Sequence, residues 1–473
     1  ITVINNAATA LKLTLKDVKI DVSDTGSYRV EGKAALSVQG DGNVEIELDG
    51  NNELKSGYDK AGLEKNSSAG TLTLKDDNKN GSLKATGGKY GAGIGGSFNG
   101  YSANNGTKNI IITGGTVEAT GGDFGAGIGG GYEGSGENIT ITGGTVTARG
   151  GDFGAGIGGG HGGSGENITI TGGTVNAAGG IGGGDGGNGK NITITGGTVT
   201  ATSGYWSAGI GGGYEVGSGT VTGNVTINGG YVTAIGGSSG STGGAGIGSG
   251  ENANYSGTVT INGGVVYAEG GADSTSIGRG NRAIGTSDNG AFTTGTGGNA
   301  VIVAPDGIGD PSGFADWDGI FISYEGNNTS ATVGEDGTVH LNDTEANIQV
   351  WGEPVIDYPL VVESGTELRV VQNDRNYAYA TLEIGQDGKL TNNGTVTVDE
   401  GSTLILREGL DQTDGSGTLE CTGTVKLPPE DKLIALSGAE DLTYNGTEQT
   451  YALAEDGAYT ITGNKQTNAN ETG

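Results

Sequence analysis

What this chain has little of narrows the field first. It has one cysteine, Cys421, so no disulfide can close within the chain. That does not exclude export, because an oxidising compartment permits disulfides without requiring them. No run of about 18 apolar residues occurs, so no membrane-spanning helix is encoded and membrane insertion is not expected. Histidine is limited to His161 and His340. No GxSxG, HExxH or cysteine–histidine arrangement is present, so the common catalytic constellations are missing. Basic residues number 24 against 55 acidic ones, for a net charge of −31. Such a surface repels nucleic acid and anionic membrane; neutral sugars, cationic partners or calcium remain. Hydrophobic residues are 32% of the 473, a composition that would suit disorder if the apolar residues were not so regularly placed. The chain begins within its pattern at Ile1, with no initiator methionine or leader, and stops in an open phrase at Gly473. A piece of a longer, processed or truncated protein is expected to look this way.

Glycine is abundant, at 104 residues, and so is repetition. The phrase NITITGGTVTA spans 138–148 and returns at 167–177 and 191–201, with NVTINGGYVTA at 224–234. A second phrase, GAGIGGG at 125–131 and 154–160, recurs in altered form after the other copies. Ile139 and Ile141 alternate with Thr140, which is the period-two pattern of a strand. Gly143 and Gly144 allow a bend. Val146 and Ala148 then alternate with threonines in a second strand, and Ala155 and Ile157 alternate with glycines in a third. The reading is all-β: a right-handed parallel β-helix with three short strands per coil, each strand pairing with its copy one coil away.

The columns follow from the repeat. Ile110, Ile139, Ile168, Ile192, Val225 and Val259 form one inward stack. Ile112, Ile141, Ile170, Ile194, Ile227 and Ile261 form a second. Val117 to Val266 and Ala119 to Ala268 supply two more. The third face is anchored by Leu36, Leu63, Ile94, Ile128, Ile157, Ile181, Ile210, Ile247 and Ile277, which implies at least nine coils. Asn109, Asn138, Asn167, Asn191 and Asn224 are expected to form an amide ladder at one corner.

The expected organisation is a Gly-rich β-helix over 1–300, an irregular transition over 301–355 and a second solenoid with shorter coils over 356–428. A hinge at Pro428 and Pro429 follows, then the start of an incomplete Ig-like module over 429–473.

Two features could carry function. The outward positions of the third strand are all glycine, a bare face that a ligand or another surface could approach closely. Aromatics flank it at two matched offsets. Four residues before the anchor stand Tyr90, Phe124, Phe153 and Trp206; four after it stand Phe98, Tyr132, His161 and Tyr214. Ring faces suit the C–H faces of pyranoses, with Asp123, Asp152, Glu133, Glu215 and Asp185 as acceptors for hydroxyls. The competing reading is a ring stack that fastens loops onto the rod. No motif demands a cofactor. Calcium is the one ion that Asp123, Asp152 and Asp185 could attract, and the turn at 181–189 resembles a Gly/Asp calcium turn in a single copy.

With these residues in view, the chain resembles the Gly-rich β-helix regions of large exported surface proteins from Gram-positive, often gut-dwelling, bacteria. The phrases ITGGTVTA, GAGIGGG and AGLEKN carry the likeness over roughly residues 10–300. It is similar, more distantly, to a calcium-associated carbohydrate-binding β-helix domain of cellulose-degrading clostridia. The YNGT and YTITGN phrases of the tail look like the start of an Ig-like module. The resemblance implies a secreted or wall-attached, extracellular protein and supplies no catalytic residues. The expectation is a non-enzymatic surface rod with an adhesive face toward glycans or cell-surface polysaccharide. A structural spacer or self-associating filament unit is the alternative, and a glycan-cleaving enzyme is the third reading.

Overall fold

The computed structural model describes residues 1–100, 105–214, 223–281, 299–309, 338–341, 347–370, 379–407 and 417–426. It also describes the strands Thr220–Val221, Asn289–Thr293, Gly319–Ser323, Ala331–Val333, Leu410–Asp411 and Ile461–Thr462. Every regular element among them is a strand. Two compact units are present: Ile1–Gly264 with Ala268–Thr293 and Asp306–Ser312, and Val265–Tyr267 with Thr294–Pro305 and Gly313–Gly473.

The first unit is a right-handed parallel β-helix, the hand that parallel crossovers almost always take. One coil runs Ile128–Gly129, Gly136–Ile141, Thr145–Arg149, then back to Ile157–Gly158. The anchor strands stack in one sheet of ten. Leu36 pairs with Leu63, Leu63 with Ile94, and so on through Ile247 and Ile277. In the second sheet Ile110, Ile139, Ile168, Ile192, Val225 and Val259 lie in register. In the third, Val117, Val146, Val175, Val199 and Val232 do the same. These side chains are almost wholly buried. Burial of one aliphatic side chain is worth about 1.5–3 kcal/mol.

The corners have their own logic. Gly144 adopts φ 86° at the bend between the second and third sheets, where a Cβ would meet the backbone of the coil below. The opposite entry uses asparagine. Asn109, Asn138, Asn167 and Asn191 all hold left-handed backbone, φ 53–62°. Each amide donates to the one before it: Asn138 to Asn109 at 2.9 Å, then Asn167 to Asn138 and Asn191 to Asn167 at 3.0 Å. Asn224 turns its Oδ1 to the Thr258 N–H at 3.2 Å. The bulge these residues make skips them in the strand register.

The second unit is also built of stacked coils. Leu360, Leu390 and Leu410 share one column, Leu368, Val396 and Leu419 a second, and Leu382, Leu404 and Val425 a third. Within 301–355, Gly319–Ser323 pairs antiparallel with Asn347–Trp351, and Ala331–Val333 with Val339–Leu341. The expected Ig-like start at 429–473 lies outside the described residues apart from Ile461–Thr462, which pairs parallel with Leu419 and Glu420.

Candidate functional site

The anchor strands decide the geometry of the candidate site. From Ile94 onward each is only two residues long, as at Ile157–Gly158, and a turn leaves it on either side. The turn before the strand carries the first aromatic column and the turn after it carries the second. Both turns are pinned by one recurring backbone bond. Tyr132 N–H donates to the Tyr90 carbonyl at 2.9 Å, His161 to Phe124 at 2.9 Å, Asp185 to Phe153 at 2.9 Å and Glu251 to Trp206 at 2.7 Å. A residue four after one anchor is thereby tied to a residue four before the previous anchor.

The rings then close on one another. In the first column Tyr90 stacks on Phe124 with centroids 5.2 Å apart and planes 14° apart, and Phe124 stacks on Phe153 at 5.5 Å and 12°. In the second, Tyr132 stacks on His161 at 5.3 Å and 15°. The columns interlock edge to face, Phe124 against Tyr132 at 5.4 Å and Phe153 against His161 at 5.5 Å. Phe98 joins through Tyr90 and Tyr132. Tyr58, which the offset rule did not single out, extends the stack edge-on to Tyr90 at 5.4 Å. All are half-buried. The structure thus brings six of the eight named aromatics into one ladder, and sets Trp206 and Tyr214 apart in a second group, 5.3 Å from each other.

This packing corrects the expectation of a bare glycine face. Residues 154–160 are buried, beneath rings that meet across the strand. What approaches these glycines is the chain's own next coil. At Gly158, φ is 135° and an added Cβ would collide with the Gly182 carbonyl oxygen. The outward positions are glycine because neighbouring backbones leave no room for a side chain.

The acidic residues divide. Asp123 and Asp152 are exposed, and Asp123 lies 3.9 Å from the Lys89 ammonium, which also sits over the Tyr90 and Phe124 rings. Asp185 is half-buried. Burial pushes its carboxyl above the ordinary range, with the His161 ring acting in the opposite direction. Glu215 lies outside the described residues. Among the described residues no three histidine, cysteine or acidic groups come together as a metal site would need.

One coil breaks the ladder. Ile128 and Ile157 are 29 residues apart, but Ile157 and Ile181 only 24. The missing residues are those that carry the ring of the first column: Ala178, Gly179 and Gly180 stand where the coil below has residues 149–156. In the second column that coil has Asp185 in place of an aromatic. Both rings are absent at one level, and a shallow notch with about 20 Å³ of free space opens to solvent there. Phe153 and Tyr205 bound it, Asp152, Asp185, Ser203 and Ser207 line it, and glycines form its floor. No basic residue lines it. The Ser203 hydroxyl oxygen is buried without a hydrogen-bond partner, and Tyr205 is 55% exposed. Ser203 and Tyr205 escaped sequence reasoning. The signal that would have found them is the short spacing itself.

A family model described as a beta helix repeat matches residues 79–98, 110–132, 139–161, 192–214 and 259–278. Four of these matches begin at the first inward residue of the second sheet; three of them run past the anchor strand and the last ends on it. No curated protein and no solved structure matches the chain.

Proposed function

We propose that this β-helix is a non-enzymatic, extracellular binding rod whose ligand is carbohydrate. The observation that carries the reading is the aromatic flank: rings concentrated along one side of the coils and interrupted at one level, where a ring face and several acceptors are left to solvent together. Sugars are recognised by that pairing of an apolar face with hydroxyl partners. The net charge of −31 favours neutral glycans over acidic ones. An extracellular, secreted or wall-attached setting rests on the resemblance of the repeat phrases to exported surface proteins. Retention of the intact chain on an array of neutral glycans tests the reading. Binding to at least one neutral glycan, with no new reducing ends released, is the expected result. No retention on any glycan overturns it, and released reducing ends make the protein a glycan-cleaving enzyme instead.

A further inference from the structure

The turn that leaves the anchor strand Ile94–Gly95 carries a reactive pair. Asn99 is followed by Gly100, and a glycine nitrogen reaches the side-chain carbonyl before it with no Cβ in the way. Asn80, Asn105, Asn188, Asn228, Asn262 and Asn393 also precede glycine. At each of those glycines a Cβ would meet a backbone oxygen within 3 Å, so the pair is packed and has no room to rearrange. Gly100 differs. Its φ is 97°, and nothing lies within 4 Å of where a Cβ would stand. Among the described residues its N–H makes no hydrogen bond, and Asn99 is exposed. The rest of Asn99 is held in place. Its N–H donates to Asn105 Oδ1 at 2.9 Å. The Lys60 ammonium donates to its Oδ1, also at 2.9 Å. The Lys60 side chain is only 10% exposed and is fixed from another direction by the Glu31 carboxylate. A cation placed on this oxygen stabilises the negative charge that develops there when a nucleophile adds to Cγ.

We propose that Asn99–Gly100 is a self-modifying site, at which the chain converts Asn99 to an acid with help from Lys60. The Gly100 nitrogen gives its proton to hydroxide and adds to Asn99 Cγ. The bond from Cγ to the side-chain nitrogen breaks, and that nitrogen takes up a proton and leaves as ammonia. A five-membered imide remains. Water opens it at one carbonyl or the other, leaving aspartate or its β-linked isomer. Either product adds a negative charge beside Lys60 and Glu31. The isomer also lengthens the main chain by one atom in the turn that carries Phe98, whose ring packs on Tyr90 and Tyr132. The modification therefore loosens one end of the ring ladder as the molecule ages.

Timed incubation of the full chain at mildly alkaline pH, followed by digestion and mass spectrometry of the peptides, tests the site. The Asn99 peptide is expected to gain about one dalton and to split into two chromatographic forms, faster than any other Asn-Gly peptide of the described residues. Gly100→Ala should slow the conversion. Lys60→Met should slow it by about tenfold or more, whereas Lys60→Arg, which keeps a cation at the oxygen, should retain most of the rate. Comparing these two variants separates the charge on the oxygen from any loosening of the turn. Conversion at Asn99 no faster than at the packed pairs overturns the site, and so does equal conversion in Lys60→Met and Lys60→Arg. Loss of ammonia with the Asn99 peptide joined to the Lys60 peptide overturns it too, because the lysine nitrogen would then have displaced Gly100 as the nucleophile.

Discussion

At the scale of single residues, several positions break the ordinary rules of side-chain placement, and each break has a local cause. Asn138 is exposed and left-handed, a conformation that costs other L-residues about 1–2 kcal/mol. The amide chain offsets it, since the Asn138 side chain donates to Asn109 and accepts from Asn167. Lys65 is the larger exception. It is 1% exposed, and its ammonium donates to the Asn66 carbonyl at 2.8 Å, the Ser68 carbonyl at 3.0 Å and the Ser68 hydroxyl at 3.2 Å. These bonds tie the 66–68 loop to the core. Burial nonetheless lowers its pKa from 10.5 to about 8. A lysine whose folded pKa is depressed destabilises the fold while charged. Between pH 8 and 10.5 the native state has lost a proton that the unfolded chain keeps, so stability rises with pH there. Lys65→Met does not titrate. The stability of the parent relative to this variant is expected to grow by about 1–3 kcal/mol over that window, read from urea unfolding. A difference that stays flat with pH would show that the lysine titrates normally.

At the scale of elements, the aromatic turns were legible in part. The matched offsets of Phe124 and Phe153, and of Tyr132 and His161, predicted that they would lie over one another, and they do. The sequence could not say where the ring faces point. Offsets fix the level of a residue along the axis, whereas the lean of one turn toward the other depends on backbone bonds between coils. The faces of Phe124 are covered by Tyr90 and Phe153, and its edges by Tyr132 and His161. Phe124→Ala is therefore expected to destabilise the fold by about 2 kcal/mol. Amide exchange should rise in the turns around 121–125 and 150–154. Tyr205→Ala, at an exposed position, should change stability far less. Equal effects of the two substitutions would mean that the stack contributes little.

At the scale of the whole molecule, stability is a sum over neighbouring coils, and charge works against association. Assembly into a longer rod would have to overcome the mutual repulsion of chains with a net charge of −31. Salt weakens that repulsion. In about 1 M salt, where screening falls to ~3 Å, the mass measured by light scattering is expected to rise with protein concentration if the rod self-assembles. A constant monomer mass under those conditions removes the assembly reading.

The sequence by itself determined the coil, because a repeat whose apolar residues recur at fixed offsets has one low-energy arrangement: copies stacked in register with those residues inside. The inward columns, the anchor sheet and the asparagine stack from Asn109 to Asn191 all follow from that periodicity. Only the tertiary structure decided which surfaces stay open. The glycine strip is closed because adjacent backbones approach too near for a Cβ, and the rings are closed because turns from successive coils lean together across a two-residue strand. The notch is open because five residues are missing from one turn. That absence becomes a shape only when the coils above and below are set in place.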